Sequence, residues 1–119
     1  MKADYLAHLA GLPQAAGTHY PHGTPFVRAL AHGSMSVELF APGTSDLGKD
    51  FQQPHEQDEL YVMQRGRSDF LLEEHSHLVA PGDVLFVPAG AHHRFENFSA
   101  DFVTWVIFYG PQGGEKPCP

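Results

Sequence analysis

Between residues 26 and 109 the chain runs in short apolar stretches, each broken off by glycine, proline or small polar residues. Phe26–Leu30, Met35–Phe40, Leu60–Gln64, Ser68–Leu72, His75–Val79, Val84–Val87, His93–Glu96 and Phe102–Tyr109 are rich in β-branched and aromatic side chains, which predicts strands. Gly33, Pro42-Gly43, Gly66, Pro81-Gly82 and the Pro88 to Gly90 segment punctuate them with residues suited to turns. Many short strands without alternating helical patterns predict an all-β, antiparallel sandwich or barrel rather than parallel βαβ units.

The ends read differently. Leu6, Leu9 and Ala10 lie at near-helical spacing, so a short helix is expected within residues 3 to 10, stopped by Gly11 and Pro13. The stretch from Gly11 to Pro25 has no periodicity and reads as an irregular arm carrying His19 and His22. The segment from Pro111 to Pro119, heavy in proline and glycine, is expected to be extended or mobile. This divides the chain into a helix and arm (1–24), a barrel (25–110) and a tail (111–119).

Composition narrows the partners. At 119 residues the chain is long enough to bury one core, and its apolar residues are spread along its length. Acidic residues outnumber basic ones by 14 to 7, and no Lys or Arg run exists to follow a phosphate backbone, which disfavours nucleic acid. Cys118 is the only cysteine, so no internal disulfide forms. No export signal or long apolar span is visible; a cytoplasmic protein away from membranes is expected.

Two segments carry candidate chemistry. In Gln53-Pro54-His55-Glu56-Gln57-Asp58-Glu59, the histidine and carboxylates can simply be solvated in a polar loop, or His55 and Glu59 can share a helical face. The strand chemistry of Leu60 to Met63 favours a turn entering a strand. Four residues of straight strand span roughly 13 Å, too far for shared ligation at bond lengths of about 2 Å. A bend at Gln57-Asp58 therefore has to bring His55, at the end of one strand, towards Glu59 at the start of the next. The second segment runs from Pro81 to Asn97, and alternation along its returning strand sets His93, Phe95 and Asn97 on one face against Arg94 and Glu96 on the other. Facing His93 inward leaves the charged pair in solvent.

These segments resemble the paired motifs of the cupin superfamily. Gly82, Pro88, Gly90, His93 and Asn97 stand at the spacing of the second motif, and His55, Glu59 and Gly66 at that of the first. Two departures are visible: Gln53 occupies a position where the family usually has histidine, and Gly48 is one residue closer than usual. The resemblance covers roughly residues 25 to 110 and implies a double-stranded β-helix, or jelly-roll barrel, with metal ligands at His55, Glu59 and His93. Two imidazoles and one carboxylate suit one divalent ion, Fe, Mn, Ni, Co or Zn, with coordination positions left open. Gln53 is the further candidate, either as a weak neutral ligand or as a hydrogen-bond partner of a metal-bound water.

Other residues have plainer readings. Tyr61 follows Glu59 by two on the same face, so its hydroxyl can orient a ligand or donate a proton; Glu59 and Tyr61 are the candidate catalytic groups. His92, His75 and His77 are expected at the surface, and His19 and His22, on the irregular arm, either stay outside the site or fold over the barrel mouth to complete it. Tyr61, Met63, Phe86, Phe95, Trp105 and Phe108 are first of all core candidates. No nucleophile elbow or phosphate-cradling glycine loop is present. The expectation is a small metal-dependent enzyme of the dioxygenase, isomerase or lyase class acting on a compact oxygen-chelating substrate, or a non-catalytic small-ligand binding or sensing module. Leu60 and Val62 must point outward if Glu59 points inward, which, with the habit of the family, predicts a homodimer.

Overall fold

The computed structural model describes residues 1–45 and 48–116. Cys118 lies outside the described residues. A short helix, α1 (Tyr5–Ala10), is followed by eight strands: β1 (Phe26–His32), β2 (Met35–Phe40), β3 (Asp58–Arg65), β4 (Ser68–Leu72), β5 (His75–Val79), β6 (Val84–Val87), β7 (His93–Glu96) and β8 (Val103–Tyr109). The strands form an antiparallel five-stranded sheet in the order β1-β2-β8-β3-β6 and a three-stranded sheet in the order β5-β4-β7. This is the double-sheet barrel that the turn-punctuated pattern predicts.

Period-2 alternation decides what lies between the sheets. Glu59, Tyr61 and Met63 of β3 are buried, while Leu60 and Val62 between them are only half-buried on the outer face. On β8, Thr104, Val106 and Phe108 are buried in the same rhythm. Phe40, Tyr61, Phe70, Phe95, Phe102 and Phe108 are the large side chains of the central cluster. Phe70 and Phe95 stand 4.8 Å apart at their ring centroids, and Tyr61 meets Phe95 edge to face at 4.9 Å. Such geometries suit the quadrupoles of the rings and add to their burial.

The leading helix has its own reason. Asp4 caps it by accepting the N–H of Ala7, and Tyr5, Leu9 and Leu12 lie against Leu39, Ala41, Val103 and Trp105 on the outer face of the large sheet. One part of that sheet stays bare: on its edge strand β6, Val84 is 60% and Phe86 50% exposed. Phe86 is therefore an outer residue, not the core residue expected from its chemistry.

Two further differences concern the site. His55 does not end a strand; residues 51–57 are irregular, with the bend at Glu56 and Gln57. Residues 111–116, expected to be a loose end, are tied back. Gly113 N–H donates to the Glu56 carbonyl at 2.7 Å and Glu115 N–H to the Asp58 carboxylate at 2.8 Å.

Candidate metal centre

Each member of the candidate site is placed by a different part of the fold. Glu59 comes from β3 of the large sheet and His93 from β7 of the small one. His55 comes from the bend before β3, and that bend is fixed by the second motif: Gly90 N–H donates to the His55 carbonyl at 2.7 Å. Gly90 has φ +81°, a left-handed conformation that glycine adopts at no steric cost. The buried Asp58 carboxylate completes the attachment by accepting the Ala89 N–H at 2.9 Å.

The ligand atoms that His55, Glu59 and His93 offer all lie within 4.8 Å of one another. His93 Nε2 approaches Glu59 Oε1 to 2.9 Å with both side chains almost wholly removed from solvent. The contact is close but not directed as a hydrogen bond: His93 Nε2 and both Glu59 oxygens have no hydrogen-bond partner among the described residues. Buried polar atoms left without partners cost free energy, on the order of 1–3 kcal/mol each. Converging on one cation removes that cost, and the donor set, two imidazoles and a carboxylate, is suited to a divalent transition ion.

The imidazoles are prepared for this. His93 Nδ1 faces the Ala91 carbonyl at 2.9 Å, which puts the ring proton there and turns the Nε2 lone pair towards Glu59. Burial pulls His93 down, but the neighbouring Glu59 carboxylate outweighs it and leaves the pKa raised. Burial dominates at His55 and lowers its pKa, keeping that imidazole neutral. His55 packs edge to face on Phe108, with centroids 4.7 Å apart.

The other sequence candidates fall into place around this group. Gln53 is exposed, with its amide 3.4 Å from the Phe51 carbonyl, and lines both cavities beside the site rather than the buried interior. Its neighbour Gln52, which no motif pointed to, takes the interior position: Tyr61 Oη donates to Gln52 Oε1 at 2.9 Å, and that oxygen is 3.5 Å from His55 Nε2. Tyr61 is fully buried, and burial, then Glu59, pushes its pKa well up, so it is a neutral donor. His92 is exposed, as alternation opposite His93 requires, and His75 and His77 are exposed although they share a face of β5 with the buried Val79. Arg94 and Glu96 pair at 2.6 Å on the surface. Asn97 does not continue the inward face; it is exposed at φ +52° and donates to Asp69 at 2.9 Å.

A cavity of about 860 Å³ opens beside His55. Phe26, Phe40, Val106 and Phe108 give it an apolar wall, Arg28 and Glu38 a charged one, and the arm closes part of it with Thr18, His19 and Tyr20. A second cavity of about 270 Å³, with mostly polar lining, reaches His93 past Glu73, His92 and Arg94. Neither Tyr61 nor Glu59 lines the larger cavity.

With this fold and these residues the chain belongs to the cupin domain family, whose profile matches residues 36–109 and thus both motifs. A relative, the uncharacterized protein SCO3923 of Streptomyces coelicolor, is 37% identical over 89 residues, covering 73% of this chain and 81% of that protein. Among solved structures, the plu4264 protein from Photorhabdus luminescens is similar at TM-score 0.60 and 20% identity, over 75% of this chain and 78% of that one. DMSP lyase DddQ from Ruegeria pomeroyi is similar at TM-score 0.56 and 20% identity, over 71% of this chain and 46% of that one. At these identities the two structures speak for the barrel. No helix of the described residues is long and apolar enough to cross a membrane.

Proposed function

We propose that this protein is a small metal-dependent enzyme that binds one divalent ion (Fe, Mn, Ni, Co or Zn) through His55, Glu59 and His93. It acts on a compact organic molecule that chelates through oxygen, with chemistry of the dioxygenase, isomerase or lyase class. The observation that carries this reading is the buried, unpartnered state of Glu59 Oε1, Glu59 Oε2 and His93 Nε2, grouped with His55, which lines a cavity large enough for a small ligand. The DMSP lyase on the same fold lends support to a small-molecule reaction.

A bound ion would supply Lewis acidity or O₂ activation at that point. The protein's own part is to hold and shield. The Phe26, Phe40, Val106 and Phe108 wall excludes water from a ligand's apolar portion, and Arg28 offers a cation to an acidic group at the rim. Because Tyr61 is walled off from the larger cavity, its hydroxyl acts through Gln52 rather than on the substrate. A symmetric homodimer is part of the proposal, supported by the bare Val84 and Phe86 on the outer face beside half-buried Leu60 and Val62.

The test is metal analysis of protein purified without chelators or affinity-resin metal, followed by a screen of small oxygen-chelating acids under air and under argon. The expected result is about one divalent ion per chain and turnover that chelation abolishes; oxygen dependence then separates a dioxygenase from a lyase or isomerase. The ion should also stabilise the fold by mass action, by about 2.7 kcal/mol at a hundred times its Kd, and so raise the melting temperature. Tight ligand binding without turnover would instead make the protein a binding module, and a metal-free, metal-indifferent protein would end the metal reading.

A further inference from the structure

Gln52 is the residue through which the site's surroundings converge, and its amide is oriented by chemistry rather than by space alone. The side-chain NH₂ donates to Asp50 Oδ2 at 3.0 Å, and a carboxylate accepts but does not donate. The Asp50 carboxylate is fixed in turn by the N–H groups of Phe95 at 2.8 Å and of Gln52 itself at 2.9 Å. The Tyr20 hydroxyl, 3.4 Å from Asp50 Oδ1, ties in the N-terminal arm. With the NH₂ committed to Asp50, the carbonyl oxygen has to point the other way, towards Tyr61 and His55. The reversed amide would set oxygen against oxygen at Asp50.

That oxygen has two lone pairs, and Tyr61 occupies one. The second faces His55 Nε2 across 3.5 Å, a separation at the far limit of hydrogen bonding. It matches another relationship better. Two donors each about 2.1 Å from a common ion stand about 3.0 Å apart at a right angle and about 3.4 Å apart at a tetrahedral angle. The 2.9 Å between His93 Nε2 and Glu59 Oε1 and the 3.5 Å between Gln52 Oε1 and His55 Nε2 are both spacings of this kind. Gln52, Gln53 and Pro54 all line both cavities; of the two glutamines only Gln52 turns its amide inward, to Tyr61 and His55.

We propose that Gln52 Oε1 is a fourth, neutral oxygen ligand of the ion held by His55, Glu59 and His93, locked in the ligating orientation by Asp50 and Tyr61. The proposal rests on the metal-binding reading above. Gln53, one residue on and exposed, has no part in it. A neutral oxygen adds no charge to the site, so the ion keeps a net positive charge against the single Glu59 carboxylate and attracts an anionic chelating ligand.

Mn²⁺ is the probe, read by competition with a chromophoric chelator and by water-proton relaxation, which counts the exchangeable waters on the ion. Gln52→Ala and the closer-sized Gln52→Leu are expected to weaken Mn²⁺ binding by at least about tenfold and to add one bound water. Gln52→Glu, which places a second anionic oxygen on the ion and repels Asp50 in its absence, is expected to bind more tightly and to show a larger metal-induced rise in melting temperature. Gln53→Ala should change neither affinity nor water count. A fall in affinity with the water count unchanged in both Gln52→Ala and Gln52→Leu would overturn the ligand assignment and leave Gln52 a positioning residue for His55. Unchanged affinity in those variants would overturn it outright. Wild-type protein that binds no Mn²⁺, Zn²⁺ or Co²⁺ would take away the metal reading itself, and the Gln52 assignment with it.

Discussion

The main-chain N–H of Gly90 donates to the carbonyl of His55, and that single 2.7 Å bond joins the two motifs across 35 residues of sequence. The glycine needed for its left-handed turn thereby sets the height of His55, a candidate ligand, on the opposite segment. Gly90→Ala meets no atom within 4 Å of the added Cβ, so its cost is backbone strain alone, about 1–2 kcal/mol. Gly33→Ala, at φ +57° in an equally open turn, should lose similar stability in urea. Only the Gly90 variant should also lose metal affinity, which isothermal titration would measure.

Adjacent histidines on β7 face opposite ways, and the consequence is a clean pair of variants. His93→Ala removes one of three charged or imidazole donors and should abolish metal content measured by mass spectrometry, together with any activity. His92→Ala removes an exposed ring whose backbone N–H, not its imidazole, bonds to Glu73. Its stability should change by less than about 0.5 kcal/mol, with the metal retained.

Glu38 gives the cavity a pH dependence. Burial raises its carboxyl pKa, against the pull of Arg28 and with added repulsion from Glu59. The folded chain therefore keeps this proton to higher pH than the unfolded chain does. The stability it confers is complete below the unfolded-state pKa and is lost as pH rises through the folded-state value. Glu38→Gln cannot lose a proton, so its melting temperature relative to wild type should climb as pH rises from about 4.3, the ordinary glutamate value, through the raised folded-state value, and then level off. A difference that stays flat across that range would show Glu38 to be freely solvated.

The bare edge of the large sheet makes oligomerisation measurable. Sedimentation of the wild type at micromolar concentration should show a dimer, and Phe86→Glu should shift it to monomer, because a buried unpaired charge is costly at an apolar contact. Metal content should be unaffected, since Phe86 points away from the site.

Much of this molecule was legible from residue type and period. The eight strands follow from β-branched and aromatic runs cut by Gly and Pro, and the inward set Glu59, Tyr61 and Met63 from alternation. A bend sufficed to bring His55 towards Glu59, alternation turned His93 inward, and the grouping of all three is what the resemblance to the cupin motifs implies. Gln52 and Gln53 show where this stops. Residues 51–57 are irregular, so period 2 does not apply, and which glutamine turns inward depends on Asp50 bonding to the Phe95 N–H of β7, 45 residues further on. Phe86 shows a related limit: aromatic chemistry says apolar, but the edge position of β6 leaves it uncovered. The hold on residues 111–116 comes from Glu56 and Asp58, contacts between segments more than fifty residues apart that no local pattern announces.

The strand order of the large sheet also sets a schedule for synthesis. β8 lies between β2 and β3, so residues 35–40 and 58–65, made early, have no shared neighbour until residues 103–109 arrive. Such long-range pairing is slow to form and is delayed further on a chain that leaves the ribosome at about 5–20 residues per second. His55 and Glu59 emerge seconds before the strand that seats them, and His93 just ahead of it. The donor group therefore has no assembled form until residues 103–109 have been made, and any uptake of an ion would follow the closing of the large sheet.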